Sequence, residues 1–167
     1  GAGTVLDGET ARMAILSGAQ FIVAPTLDAK TIEVCNRYAK VVVPGALTPT
    51  EILLAWELGA DFVKVFPADA VGGPAYIQAI KAPLPQINLV PTGGVDINTA
   101  SAFIKAGATA VGVGGALIGK KILAEGNYGA LMERQRNICR SSETRALRGF
   151  PQDDIGRRQQ NATAISA

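Results

Sequence analysis

Three observations predict an α/β fold built on a parallel sheet. A helical stretch that ends at Gly-Ala and runs straight into a hydrophobic strand occurs three times, at 9–25, 50–67 and 98–115. The copies begin 41 and 48 residues apart, about two strand–helix units each. Two further strand candidates, 40–43 and 87–90, lie between the copies, so strand and helix alternate along the chain. The composition agrees: 48% of the 167 residues are hydrophobic and 18% charged, with few aromatics and many Val, Ile, Leu, Ala and Gly.

The elements follow in order. Residues 1–6 read as the end of a strand, and Asp7 or Gly8 opens a helix to about Ser17 with Ala11, Ala14 and Ile15 facing in. Residues 20–24 form the next strand, closed by Pro25. Asp28 caps a helix to about Tyr38, in which Ile32 and Cys35 face the core. The strand at 40–43 stops at Pro44-Gly45. Thr48-Pro49-Thr50-Glu51 then reads as N-cap, N1 proline and acidic first turn of a helix carrying Ile52, Leu53, Trp56 and Leu58. Trp56 is read as a packing residue. After the strand around Lys64 come a Gly72-Gly73 loop, a short helix at 75–80, the strand at 87–90, and a helix at 98–106. The sixth strand, 110–113, opens a helix to about Leu123, and 128–140 forms a further amphipathic helix. Gly18, Gly59 and Gly107 stand where a helix end requires positive φ.

One domain with a substantial core fits this length. Residues 1–126 carry the strand–helix units, 127–140 the C-terminal helix, and 141–167 an expected disordered tail. Residues 1–126 hold seven Lys and two Arg against ten acids, whereas 127–167 hold seven Arg, no Lys and four acids. The net charge of +2 points to no particular partner. Acidic residues 143, 153 and 154 interrupt the arginine run and no aromatic face accompanies it, so nucleic-acid binding is not expected. No apolar run nears the ~20 residues of a membrane helix, and no leader precedes the first strand; no membrane association and a cytoplasmic location are expected. Cys35 and Cys139 suggest neither a disulfide framework nor a metal cluster, and the absence of histidine excludes a His-based triad.

Lys64 is the charge inside the β-prone run Phe62-Val63-Lys64-Val65-Phe66. Alternation puts Phe62, Lys64 and Phe66 on one face and Val63 and Val65 on the other, as in a strand covered on both sides. A lysine among apolar groups has a lowered pKa and a larger fraction of free amine, as a Schiff-base nucleophile needs. On these residues alone, a packed stem whose head reaches solvent remains the alternative.

Thr92-Gly93-Gly94 and Gly114-Gly115 each follow a strand and lead into a helix. Backbone N–H groups in such loops can converge on an anion, and helix N-termini add a favourable dipole. In (β/α)8 barrels, phosphate sites are often made by the loops after the last two strands, which is where these loops stand. An open doubly wound sheet satisfies the strand count, but the loops favour the barrel.

The segments 1–6 (Gly-Ala-Gly-Thr-Val-Leu), Pro44-Gly45 with Thr48 and Glu51, Lys64-Val65-Phe66-Pro67-Ala68 preceded by Phe62, Pro91-Thr92-Gly93-Gly94, and Gly114-Gly115 occur in an order that closely resembles the class I 2-keto-3-deoxy-6-phosphogluconate aldolase family, also called the 4-hydroxy-2-oxoglutarate aldolases. The resemblance covers residues 1 to about 126. It implies a (β/α)8 TIM barrel, here about six βα units, assembled as a homotrimer when full length and working without metal or organic cofactor. It implies Lys64 as the Schiff-base residue. It further implies Thr4, Pro25 and Phe66 around the keto acid, and Thr92, Gly93, Gly94, Gly114 and Gly115 at the substrate phosphate. Two departures accompany it. The family has two βα units ahead of the Gly-Ala-Gly-Thr strand, carrying the general acid/base glutamate and a carboxylate-binding arginine, so an N-terminally truncated aldolase is expected. Ala116 stands where some members have a phosphate-binding serine. The implied partners are small keto acids and sugar phosphates. The rival readings are another phosphate-binding barrel enzyme, such as an isomerase or synthase, and a non-catalytic sugar-phosphate binder.

Overall fold

Side-chain oxygens set where the first three helices start. Asp7 accepts from the Thr10 N–H at 2.6 Å and opens α1 (Gly8–Leu16). Asp28 accepts from the Thr31 N–H at 2.7 Å and opens α2 (Ala29–Arg37). Thr48 and Glu51 form a reciprocal capping box at α3 (Pro49–Glu57), with Pro49 at the first position. These caps stand where the sequence predicts them. After α1, α3 and the later helix at Ala100–Lys105, Gly18, Gly59 and Gly107 adopt φ of 100°, 92° and 105°, which lets each of these helices turn directly into the following strand segment; after α2 that place is taken by Ala39 at φ 50°.

The computed structural model describes residues 1–119, 122, 124 and 126–146. Between the helices run β1 (Phe21–Val23), β2 (Val41–Val43), β3 (Gly45–Ala46), β4 (Val63–Val65) and β5 (Leu89–Pro91), with α4 (Pro74–Lys81) and α5 (Ala100–Lys105) flanking β5. All strand pairs are parallel: β1 with β2, β3 with β4, and β4 with β5. Pro44 separates β2 from β3 and has no N–H to donate, so the stretch 41–46 pairs with β1 through its first half and with β4 through its second. Single parallel bridges extend the series, Ala2 to Ile22 at one end and Thr92 to Gly112 at the other. Sequential neighbours in the chain are therefore neighbours in the sheet, as a barrel requires.

The outer strands are shorter than their sequences suggest. The predicted strands at 1–6 and 110–113 each pair through a single bridge, and the strand expected at 87–90 pairs over Leu89–Pro91. The last described helix, α6 (Tyr128–Ala146), extends six residues beyond the predicted end at 140. Of the predicted helix leading to Leu123, residues 115–117 form a turn and 118 a bend instead, and residue 122 is helical; residues 120, 121 and 123, and the tail from 147, lie outside the described residues.

The two faces of the sheet differ. Ile22, Val42, Val63, Val65 and Leu89 are fully buried beneath the helices, with Ile32, Ile52, Ile77 and Phe103 packed over them. Each such side chain contributes about 1.5–3 kcal/mol relative to an exposed one. On the opposite face Val23, Val41, Val43, Lys64 and Val90 are only half-buried, and Phe21 is exposed. Apolarity on both faces of β4 therefore does not mean equal cover, because the helix layer lies on one side. Trp56, expected to pack, is 42% exposed, since α3 buries Ile52 and Ala55 instead.

Candidate active site

Lys64 projects from the middle of β4 on the half-buried face. Its register partners are Gly45 on β3 and Val90 on β5. Burial lowers its pKa below that of an ordinary lysine. Among the described residues, Nζ has no hydrogen-bond or ion-pair partner, and the ring of Phe66 lies with its centroid 4.5 Å away. Lys81 makes the comparison clear. Its pKa is also lowered by burial, but its ammonium donates to Pro85 O at 2.7 Å and Ile87 O at 2.9 Å. Lys81 is tied to the backbone, whereas Lys64 is available to a ligand.

Gly45 beside Lys64 is required by crowding. A Cβ there would overlap the Pro25 carbonyl and the Thr26 nitrogen. The carbonyl of Pro25 thus fills the position next to Lys64 that a side chain would otherwise take. Thr4 is placed differently. It belongs to the segment that pairs with β1, where the Val5 N–H donates to Val23 O at 3.3 Å, and its φ of 57° is unusual for a β-branched residue. Two strand positions separate that segment from β4, and no hydrogen bond joins Thr4 to Lys64.

Both glycine loops meet at one cavity of about 360 Å³, lined by Phe66, Thr92, Gly93, Gly94, Gly114 and Gly115 among others. Sheet continuation brings them together: the Thr92 N–H donates to Val65 O, the Ala68 N–H to Thr92 O, and the Gly112 N–H to Pro91 O. Among the described residues, the backbone N–H groups of Gly93, Gly94, Gly114, Gly115 and Ala116 donate to no protein acceptor. Five undonated N–H groups around one cavity form a lining suited to an anion. Phe66 connects the two halves of the site, touching Lys64 with its ring and walling the loop cavity.

Three supporting residues were not singled out from the sequence. Asp69 packs beneath the first loop, where a side chain at Gly93 would come within 2.7 Å of its Oδ1. Asp96 accepts from the Asn98 and Thr99 N–H groups at 2.8 and 2.9 Å and so shapes the start of α5. The Tyr76 hydroxyl donates to Leu47 O, and Glu51 accepts from the Leu47 and Thr48 N–H groups at 2.9 and 2.8 Å. Asp96 had a readable signal, a carboxylate two and three residues ahead of its donors; Tyr76 reaches across 29 positions and had none.

A family model described as KDPG and KHG aldolase matches residues 1–134. The chain belongs to the KDPG and KHG aldolase family. A 2-dehydro-3-deoxy-phosphogluconate aldolase of Haemophilus influenzae is 34% identical over 138 residues, covering 82% of this chain and 65% of the relative. A 2-dehydro-3-deoxy-6-phosphogalactonate aldolase of Escherichia coli is 40% identical over 115 residues, 68% of this chain and 56% of the relative. The crystal structure of KDPG aldolase from Legionella pneumophila, with pyruvate captured as a covalent carbinolamine intermediate, superimposes with a TM-score of 0.72 at 25% identity, covering 80% of this chain and 65% of that one. The fold is therefore the TIM-barrel-like α/β fold of this aldolase family. The chain spans from about half to just under two thirds of the length of such curated relatives, 50% in one from Treponema pallidum and 65% in that from Haemophilus influenzae. No helix among the described residues is long and apolar enough to cross a membrane.

Proposed function

We propose that the chain works as a class I aldolase in which Lys64 forms the Schiff base. The observation that carries this reading is the position of Nζ: half-buried, without a protein partner among the described residues, and joined through Phe66 to a cavity rimmed by undonated N–H groups. In this reading the free amine of Lys64 attacks the C2 carbonyl of a 2-keto acid, and loss of water leaves a protonated imine. The imine draws electrons from the C3–C4 bond, which breaks to give the pyruvate enamine and an aldehyde. The enamine is then protonated at C3 and the imine hydrolysed, releasing pyruvate and restoring the amine.

The relatives' names suggest the substrates. Cleavage of 2-keto-3-deoxy-6-phosphogluconate gives pyruvate and glyceraldehyde 3-phosphate, and cleavage of 4-hydroxy-2-oxoglutarate gives pyruvate and glyoxylate. The Thr92–Gly94 and Gly114–Gly115 loops would hold the phosphate through backbone donors. Thr4 and the Pro25 carbonyl would border the keto acid. The proton transfer at the C4 hydroxyl, typically worth about 10²–10⁴-fold, is assigned to no residue of this chain. The (β/α)8 barrel of the family, represented in this chain by about six βα units, and a homotrimer of the full-length protein complete the proposal; exposed Leu54, Trp56 and Leu58 near α3 offer apolar surface for such contacts.

Incubation with pyruvate and borohydride, followed by digestion and mass spectrometry, tests the central step. Modification of Lys64 supports it, and modification confined to other lysines overturns it. A second reading, a sugar-phosphate binder without turnover, is favoured by the lack of any acid/base group bonded to Nζ among the described residues. Retro-aldol activity on the phosphorylated keto acid, measured beside phosphate binding, separates the two.

A further inference from the structure

The cavity at the glycine loops has a neighbour. A second space of about 320 Å³ is lined by Asp96, Ile97, Ala116, Arg134, Asn137 and Ile138. Asp96 and Ala116 line both cavities, so one wall separates them, and at position 116 that wall is a single methyl group. The basic group on the far side is Arg134 of α6. Ile138, one helical turn along the same face, is buried in the core and anchors the helix, and α5 packs against α6. Gly119 makes room for the guanidinium: a Cβ there would lie 3.1 Å from Arg134 Nη1.

The charge of Arg134 is not otherwise used. Among the described residues it has no hydrogen-bond or ion-pair partner. Asp96, the carboxylate of the shared wall, is bonded to its own loop through Oδ1. It accepts from the Asn98 N–H, the Thr99 N–H and the Thr99 hydroxyl, and the two backbone donors lead in holding its pKa down. Asn137 adds an amide donor on the same wall as Arg134.

We infer that Arg134 is a specificity-determining residue for the anionic end of the substrate, lying beyond Ala116 and favouring a phosphorylated ligand over an uncharged one. The loops supply directional N–H donors but no formal charge. A guanidinium supplies both charge and a planar set of donors that suits phosphate oxygens. At position 116 only a methyl group stands between them. This inference deepens the proposed function and rests on its assignment of the loop cavity to phosphate.

The test uses the full chain and two readouts, affinity for inorganic phosphate by calorimetry and pyruvate trapping at Lys64. Arg134→Gln should weaken phosphate binding about tenfold and flatten its dependence on ionic strength, with trapping retained. Arg134→Lys should recover part of the affinity, since charge is kept and the fork is lost. Equal phosphate affinity in wild type and Arg134→Gln would overturn the assignment of Arg134 alone. Parallel loss of phosphate binding, trapping and helical circular dichroism would overturn it in favour of a packing role. Absence of phosphate binding in the wild-type chain, with trapping intact, would overturn the phosphate reading of the loops and this inference with it.

Discussion

Lys64 Nζ stands 4.5 Å from the centroid of the Phe66 ring. Two opposed effects meet in that contact. The ring face favours the ammonium form, while withdrawal from water favours the neutral amine. Burial lowers the pKa of Lys64. Pyruvate trapping should therefore rise with pH to a midpoint below 10.5, the ordinary lysine value. Phe66→Ala admits water to the amine and should move that midpoint upward. A downward or absent movement in the pH–rate profile would mean that the ring does not shield the amine.

The same burial has a consequence for stability. The folded-state pKa of Lys64 lies below its unfolded value, so the unfolded chain binds more protons between the two. The cost of holding a charged amine is present in full below the folded pKa and fades as pH rises through this window. Lys64→Met should raise the thermal midpoint at neutral pH by about 2 °C, and should abolish trapping. Lys81→Met should do the opposite on both measures, because it removes the donor to Pro85 O and Ile87 O and leaves Lys64 intact.

The glycines of the two loops are not equivalent as probes. Gly93 has φ of 101° and sits against Asp69, so any side chain there strains the backbone as well as obstructing the cavity. Around Gly114 and Gly115 a Cβ would meet nothing within 4 Å. Gly115→Val should leave the thermal midpoint nearly unchanged and weaken phosphate binding about tenfold. Gly93→Val should lower both. Unaltered phosphate affinity in Gly115→Val would show that the second loop is a turn and nothing more.

Gly45→Ala places a methyl group on the Pro25 carbonyl. Neither strand segment can yield without disturbing the β3–β4 register that positions Lys64. Overpacking of this kind costs about 1–3 kcal/mol, and a lowered urea midpoint with slower pyruvate trapping is the expected pair of results.

Much of the architecture was legible because its signals are local. Asp7, Asp28 and Thr48 bond within three residues of themselves, and each helix start is readable from four consecutive positions. The position of Lys64 on a strand, with Val63 and Val65 turned the other way, follows from alternation. What escaped is set by groups distant in sequence. Half-burial of the Lys64 face depends on which side the helices cover, and the exposure of Trp56 on which stripe of α3 turns inward. The undonated N–H groups of the loops follow from where neighbouring strands stop pairing. Arg134 shares a wall with residues 18 and 38 positions earlier in the chain, a proximity that no periodicity within α6 discloses.

The order of the sheet also bears on how the chain acquires its shape. Paired residues, from Ala2 with Ile22 through Lys64 with Val90 to Thr92 with Gly112, are separated by only 19 to 26 positions throughout. Each strand can therefore be added by closing a loop of nearly constant, modest length, and the entropic cost does not escalate as the sheet widens. Short sequence separations of this kind favour rapid assembly. During synthesis the strand bearing Lys64 has its partner at Gly45 available before Val90 has been made, so the surroundings of Lys64 take form from the amino-terminal side first.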